Sequence, residues 1–84
     1  MRIDCEIYKE VDEIDHLTIR YRRGEPLRRN EAVQMIKRYT ACFEDVKEAF
    51  AGRNIALAAV EALDDQTLHD WLVEIRTILL KRVF

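Results

Sequence analysis

Hydrophobic residues in the first quarter of the chain recur at helical spacing. On a wheel of 100° per residue, charged side chains and His16 occupy the face opposite to them, and Gly24 followed by Pro26 ends the pattern. The spacing therefore predicts an amphipathic helix over residues 3–23. The apolar stripe, about 120° wide, consists of Ile3, Ile7, Val11, Ile14, Leu17 and Tyr21.

The same segment also fits a β-hairpin. Apolar residues alternate with period two over 3–7 and again over 17–21, and acidic side chains of the first run would face arginines of the second. We prefer the helix because Val11 and Ile14 belong to its stripe, whereas a hairpin would leave both in a loop.

A second helix is predicted over residues 30–51. Asn30 is a suitable N-cap, and Gly52 is suited to a left-handed C-cap. The two apolar seams of this helix together span about 200° of the wheel, so we expect it to contact two neighbours. The first seam is Ile36, Tyr39, Phe43, Val46 and Phe50, and the second is Met35, Cys42 and Ala49.

Two further helices are predicted after residue 52. Asn54 is placed to cap a short one over 55–63, whose only charged residue is Glu61, so we expect it to be covered on most sides. Asp64 or Asp65 then caps a last helix over 65–83, and its carboxylate suits the positive end of the helix dipole.

These elements predict an all-α fold: one domain over residues 1–84, built as a bundle of about four helices. We expect the first, second and last helices to pack roughly antiparallel, with the short third helix filling the gap between them. No apolar run reaches the ~18 residues of a membrane span, and no signal peptide is recognisable at the N-terminus.

Apolar residues make up 49% of a chain of only 84 residues. Because a domain of this size has much surface for its volume, we expect apolar side chains to be left over for a partner. The sequence thus predicts a homodimer formed through unused surface of the second and last helices. The residues expected there are Met35, Trp71, Val73, Ile78 and Leu80.

The net charge of −2 hides an uneven distribution. Residues 1–19 carry two basic and six acidic groups, residues 20–38 seven and two, and residues 39–84 five and eight. Three interpretations stay open for the basic segment: docking onto an acidic protein surface, binding to a nucleic-acid backbone, and pairing with the acidic first helix or a dimer mate. We call five of its arginines the basic band: Arg20, Arg22, Arg23, Arg28 and Arg29. Lys37 and Arg38 follow the basic band in the sequence.

The residue types of an enzyme are poorly represented. Serine is absent, there is no glycine-rich phosphate loop, and the two cysteines lack metal-ligand spacing. Glu13 and His16 match the spacing of a di-iron bundle ligand pair but lie opposite the apolar stripe, so we interpret them as a solvated face. We predict no catalytic residue, no cofactor and no metal.

The leading hypothesis is a small, non-enzymatic protein-interaction module of the adaptor, inhibitor or antitoxin type, located in the cytoplasm with reduced cysteines. Apolar anchors of the last helix and the arginines of residues 20–29 would contact the partner. The alternative is a nucleic-acid-binding regulator that uses the same arginines on the phosphate backbone.

Overall fold

The computed structural model describes residues 2–83 of the chain, and side chains for residues 7–82. Every regular element in that range is an α-helix, so the all-α prediction is confirmed and residues 2–22 form one helix instead of a hairpin. The five helices are α1 (Arg2–Arg22), α2 (Arg29–Cys42), α3 (Glu44–Ala49), α4 (Leu57–Glu61) and α5 (Asp65–Val83).

The first and last helices lie side by side and run in opposite directions. The Tyr21 hydroxyl near the end of α1 donates to Gln66 Oε1 in the first turns of α5, over 3.4 Å. Arg76, which lies nearly three turns after Gln66 on α5, donates through Nε to Asp15 Oδ1, which lies nearly two turns before Tyr21 on α1, over 2.6 Å. The predicted antiparallel packing holds for this pair.

The second and last helices run in the same direction, which corrects the prediction that they are antiparallel. Arg29 at the start of α2 bonds Asp65 at the start of α5, over 2.5 Å. Asp45, just beyond the end of α2, is paired with Arg82 near the end of α5. The cause is the connection: residues 43–64 lead the chain back alongside the bundle, so α5 starts where α2 started.

The predicted second helix is interrupted at Phe43, whose backbone is extended (φ −116°, ψ 119°). The hydroxyl of Thr40 bonds back to the Ile36 carbonyl over 2.9 Å, an arrangement that tends to bend helices. A continuous helix over 30–51 would be about 33 Å long, as long as the whole molecule at 34 Å. The break instead turns the chain back over α5, where Val46 and Phe50 become fully buried.

The two caps predicted for the second helix are wrong. The second helix starts at Arg29 with Arg28 as its N-cap, so Asn30 lies exposed inside the first turn. Gly52 does not have a positive φ, whereas Gly24 does (φ 101°) and closes α1. The chain can turn at Gly52 without a left-handed residue because α3 has already ended at Ala49.

Of the other two predicted caps, Asn54 does not cap its helix. Its Oδ1 accepts from the Ala56 amide over 3.2 Å in the turn before α4, but the N-cap of α4 is Ala56, without a side-chain hydrogen bond, and the helix starts two residues later than predicted. Asp64 Oδ1 accepts from the Thr67 amide over 2.9 Å and caps α5.

The short helix predicted over residues 55–63, which is α4 in the structure, is less covered by the rest of the protein than predicted. Val60 is fully buried, but Leu57 is 43% exposed and Ala58 and Ala62 also face outward. One buried residue per turn is enough to attach so short an element, because α4 packs mainly on α2. It covers one flank of the bundle and does not fill its centre.

The core holds most of the apolar side chains. The accessible surface is 5399 Å², close to the ~5,200 Å² expected of a folded monomer of this mass. None of the helices over residues 2–83 has both the length and the apolar content that crossing a bilayer requires.

Candidate functional site

The basic band does not form one continuous surface, because Arg29 has a structural role. Its guanidinium donates to Asp65 Oδ1 and to the backbone carbonyls of Glu61 and Leu63, over 2.5, 2.8 and 2.6 Å. The two carbonyls lie at the end of α4, where helical hydrogen bonding leaves them unpaired. Arg29 therefore joins the starts of α2 and α5 to the end of α4.

The other four arginines of the basic band divide into two pairs. Arg20 contacts Glu25 at 4.0 Å and Arg28 contacts Glu31 at 3.3 Å, so both are paired with nearby carboxylates. Arg22 and Arg23 are exposed, and no carboxylate in the part of the chain that the structure describes pairs with them. Of the predicted band of five, two arginines thus have no ion-pair partner among the described residues.

Arg38 confirms the interpretation of internal pairing with the acidic first helix. It contacts Glu10 at 2.8 Å and Glu13 at 3.1 Å, both on α1. The buried Tyr39 hydroxyl donates to Glu10 Oε1 over 2.8 Å. Burial raises the pKa of Tyr39, and the Glu10 carboxylate raises it further. The pKa of Arg38 is raised by Tyr39 and Glu10, although burial opposes this.

The expected apolar surface of the second and last helices is divided by the fold. Met35 is only 6% exposed and belongs to the core, which corrects its assignment to a partner surface. Trp71 lies edge-on to Phe50, with ring centroids 5.2 Å apart, beneath the guanidinium of Arg53. Ile78, two turns after Trp71, is half-buried against the same core. The sequence pattern predicts that Trp71 and Ile78 are exposed because it does not show that α3 is a separate helix. In the structure, α3 packs against α5.

Val73 and Leu80 lie on the other side of α5, beside α1. Two of the large apolar side chains that stay exposed, Tyr8 (48%) and Ile19 (38%), lie on α1. Because Asp15 contacts Arg76 and the helices are antiparallel, Ile19 is level with Val73 and Tyr8 lies near Leu80. The fold thus places Ile19 and Val73 on one side of the Asp15–Arg76 ion pair, and Tyr8 and Leu80 on the other side.

We call this surface the α1–α5 face. Two shallow depressions form part of it, one running from Asp12 to Arg23 and the other from Arg76 to Lys81. Arg22 and Arg23 lie at the end of this face that is formed by the end of α1 and the start of α5. They are the two arginines of the basic band without an ion-pair partner among the described residues. Its residues are Tyr8, Asp12, Asp15, Ile19, Arg22 and Arg23 from α1 and the turn after it, and Asp70, Val73, Arg76, Thr77, Leu80 and Lys81 from α5.

Charge alternates across the α1–α5 face. The middle of α1 is acidic (Asp12, Asp15), and its end is basic. Along α5, Asp70 precedes Arg76 and Lys81 in the same order, acidic before basic. Hydrogen bonds from His69 and Gln66 hold the pKa of Asp70 below its usual range, so this carboxylate is charged at neutral pH.

A separate groove of about 670 Å³ lies between α1 and α2. Leu17 and Met35 form its apolar floor, and both are largely buried. Its rim mixes charges, with Asp12, Glu31 and Lys9 around it, and Glu13 already engaged by Arg38. The groove therefore has no charge pattern that selects one kind of ligand.

The described side chains also include residue types that can bind metals or act as nucleophiles. No three His, Cys, Asp or Glu side chains in that part of the chain lie close enough to hold a metal ion together. Glu13 and His16 lie on the groove rim, and Cys42 is exposed at the end of α2. The surface that combines exposed apolar side chains with an ordered set of charges is the α1–α5 face.

Comparisons with protein families, with curated proteins and with solved structures gave no match for this chain.

Proposed function

We propose that this protein is a small, non-enzymatic interaction module of the adaptor, inhibitor or antitoxin type, and that it docks on a protein partner through the α1–α5 face. The observation that carries the proposal is the placement of Tyr8 and Ile19 of α1 and of Val73 and Leu80 of α5 on one face, on either side of the Asp15–Arg76 ion pair. Apolar side chains surrounded by charged ones are the arrangement of a docking surface: the apolar part supplies affinity and the charges orient the partner.

The proposal keeps the part of the sequence hypothesis that joins apolar anchors of the last helix to arginines of the basic band. Val73 and Leu80 are the anchors, and Arg22 and Arg23 are the arginines. Burial of apolar area contributes roughly 25 cal/mol per Å², so four half-exposed side chains give a modest interface. The exposed Cys42 fits a reducing compartment, and we place the protein in the cytoplasm.

The test is a comparison of two matched variants. Ile19→Glu places a charge on the α1–α5 face, and Leu57→Glu places the same charge on α4 at a similarly exposed site. Tagged wild-type and variant proteins are added to lysate of the native host at 0.1 and 0.5 M salt, and the captured proteins are identified by mass spectrometry. We expect a stoichiometric protein retained by the wild type and by Leu57→Glu, and lost with Ile19→Glu. Equal capture by all three proteins would contradict the proposal.

Binding to a nucleic-acid backbone is the second candidate, favoured by the exposure of Arg22 and Arg23. Two arginines neutralise at most two phosphates, so log affinity should fall against log salt with a slope of about −2. Duplex binding with that slope, lost in Arg22→Ala with Arg23→Ala, would support this candidate. Duplex binding unchanged in the double variant would exclude it.

A further inference from the structure

We infer that the partner seated on the α1–α5 face is a second copy of this chain, related by a two-fold axis that runs parallel to α1 and α5. The inference rests on the proposed function, since it names the occupant of the same face. It depends on the order of charges along the two helices.

On the α1–α5 face, the side chains of both helices are acidic before they are basic, and the two helices run in opposite directions. Asp15 and Arg76 are in contact and so lie at one level. With a rise of about 1.5 Å per residue, Asp12 lies about 4.5 Å above that level and Lys81 about 7.5 Å above it. By the same measure Arg23 lies about 12 Å below it, and Asp70 about 9 Å below. At each level, therefore, opposite charges lie side by side on the two helices.

A two-fold axis parallel to the helices places α1 of one copy over α5 of the other without changing the level of any residue. Asp12 then faces Lys81 of the partner subunit, and Arg23 faces Asp70 of the partner subunit. Ile19 is about 1.5 Å from the level of Val73 of the partner subunit, so apolar side chains also meet. Every such contact occurs twice, as an isologous interface requires.

The other face-to-face arrangement has its two-fold axis perpendicular to the helices, in the interface plane, and places α1 over α1 and α5 over α5. When that axis lies at the level of Asp15, Asp12 and Asp15 of the two copies approach each other. Like charges opposed across an interface cost binding free energy. The α1–α2 groove has no comparable self-complementary order. The charge order of the α1–α5 face is therefore complementary to a second copy of the same face, and the charge exchange described below tests the geometry with the parallel axis.

The size of the face sets the expected strength. From Tyr8 to Arg23 it is about 22 Å long, below the span of a standard interface of ~800 Å² per partner. We therefore expect a dimer with a dissociation constant on the order of micromolar, and one that weakens as salt screens the paired charges.

The decisive experiment is a charge exchange measured by sedimentation equilibrium at 0.05 M salt. Asp12 and Lys81 are exposed, and neither forms an ion pair with another described residue, so Asp12→Lys and Lys81→Glu should fold like the wild type, which circular dichroism checks. Each variant alone opposes like charges twice and should dimerise at least ten-fold more weakly than the wild type. In an equal mixture both contacts are restored, and we expect a heterodimer with close to wild-type affinity. Wild-type self-association unaffected by either variant, or no recovery in the mixture, overturns the inference.

A second pair of variants separates failure of this inference from failure of the proposed function. Ile19→Glu should abolish self-association while Leu57→Glu leaves it unchanged. A wild-type chain that stays at 10.0 kDa at 100 µM overturns the dimer. If Ile19→Glu then still abolishes capture of a different protein, the face is a docking site with another occupant and only the inference fails. If capture is also insensitive to Ile19→Glu, both fail.

Discussion

Arg29 of α2 bonds the carboxylate of Asp65 of α5 at 2.5 Å, and these two residues start their helices at the same end of the bundle. This contact is one of those that show that α2 and α5 run in the same direction. The same guanidinium also closes the end of α4 through two carbonyl oxygens, so one side chain joins three helices that are far apart in sequence.

Replacement of Arg29 should destabilise the protein more than replacement of any other arginine of the basic band. Arg29→Ala removes charge-assisted hydrogen bonds and leaves two carbonyls of α4 without their partner, for which we expect a loss of about 1.5–3 kcal/mol in the free energy of unfolding. Urea denaturation followed by circular dichroism measures it. Arg22→Ala, a matched exposed arginine, should change stability by less than about 0.5 kcal/mol. Equal effects of the two substitutions would show that the three-helix junction contributes nothing.

Tyr39 should make the protein sensitive to alkali. Burial and the Glu10 carboxylate raise the pKa of Tyr39 above its ordinary value of 10.0. The folded state therefore keeps the phenol protonated while the unfolded state loses the proton. Stability from this group is complete below pH 10 and falls as the pH rises further.

The control is Tyr39→Phe, which removes the titrating group. We expect it to cost about 1 kcal/mol at pH 7 through the lost hydrogen bond, and to flatten the decline of stability between pH 10 and 11. Urea midpoints measured at pH 7 and at pH 11 test both effects. A decline of the same steepness in the variant would mean that other groups cause it.

Asp64 should contribute to the loss of stability at acidic pH. Hydrogen bonds from the Thr67 side chain and amide lower the pKa of Asp64 below its usual 3.8. Its contribution is therefore present above the unfolded pKa and is lost as the pH falls through the lower, folded pKa. Asp64→Ala should reduce the free energy of unfolding at pH 7 and have a smaller effect at pH 2. An effect of the same size at both pH values would contradict capping by a charged carboxylate.

His69 occupies a buried position that its chemistry does not favour. Its Nε2 is buried and has no hydrogen-bond partner among the described residues, while Nδ1 contacts the neighbouring Asp70. The ring also packs against Tyr21, with centroids 5.3 Å apart. His69→Phe keeps that contact and removes the unpaired nitrogen.

We expect His69→Phe to raise the thermal unfolding temperature by a few degrees, since an unpaired buried polar group costs about 1–3 kcal/mol. His69→Ala, which loses the ring contact as well, should lower the unfolding temperature and serves as the control. A destabilised His69→Phe would show that the Nδ1 contact with Asp70 outweighs the unpaired nitrogen.

The candidate surface was partly predictable from sequence. Val73 and Leu80 widen the apolar stripe of the last helix on one side, and this is the side that meets α1. Tyr8 and Ile19 lie outside the stripe of the first helix, so nothing in the periodicity connects them to Val73 or to each other as a surface. Their meeting follows from the level at which Asp15 contacts Arg76, a relation between residues far apart in sequence.

The amino-acid sequence by itself determined the helices, since helix formation depends on apolar spacing, breakers and caps within a few residues: the amphipathic α1, the turn at Gly24 and the Asp64 cap of α5 all follow locally. Tertiary structure alone decided the parallel course of α2 and α5, the break at Phe43 and the engagement of Arg29 and Arg38 by carboxylates on other helices. These depend on which distant surfaces exclude water together. The neighbouring sequence of an arginine does not show whether its guanidinium is exposed or paired with another helix. Only the tertiary structure therefore distinguishes the paired Arg29 from the exposed Arg22.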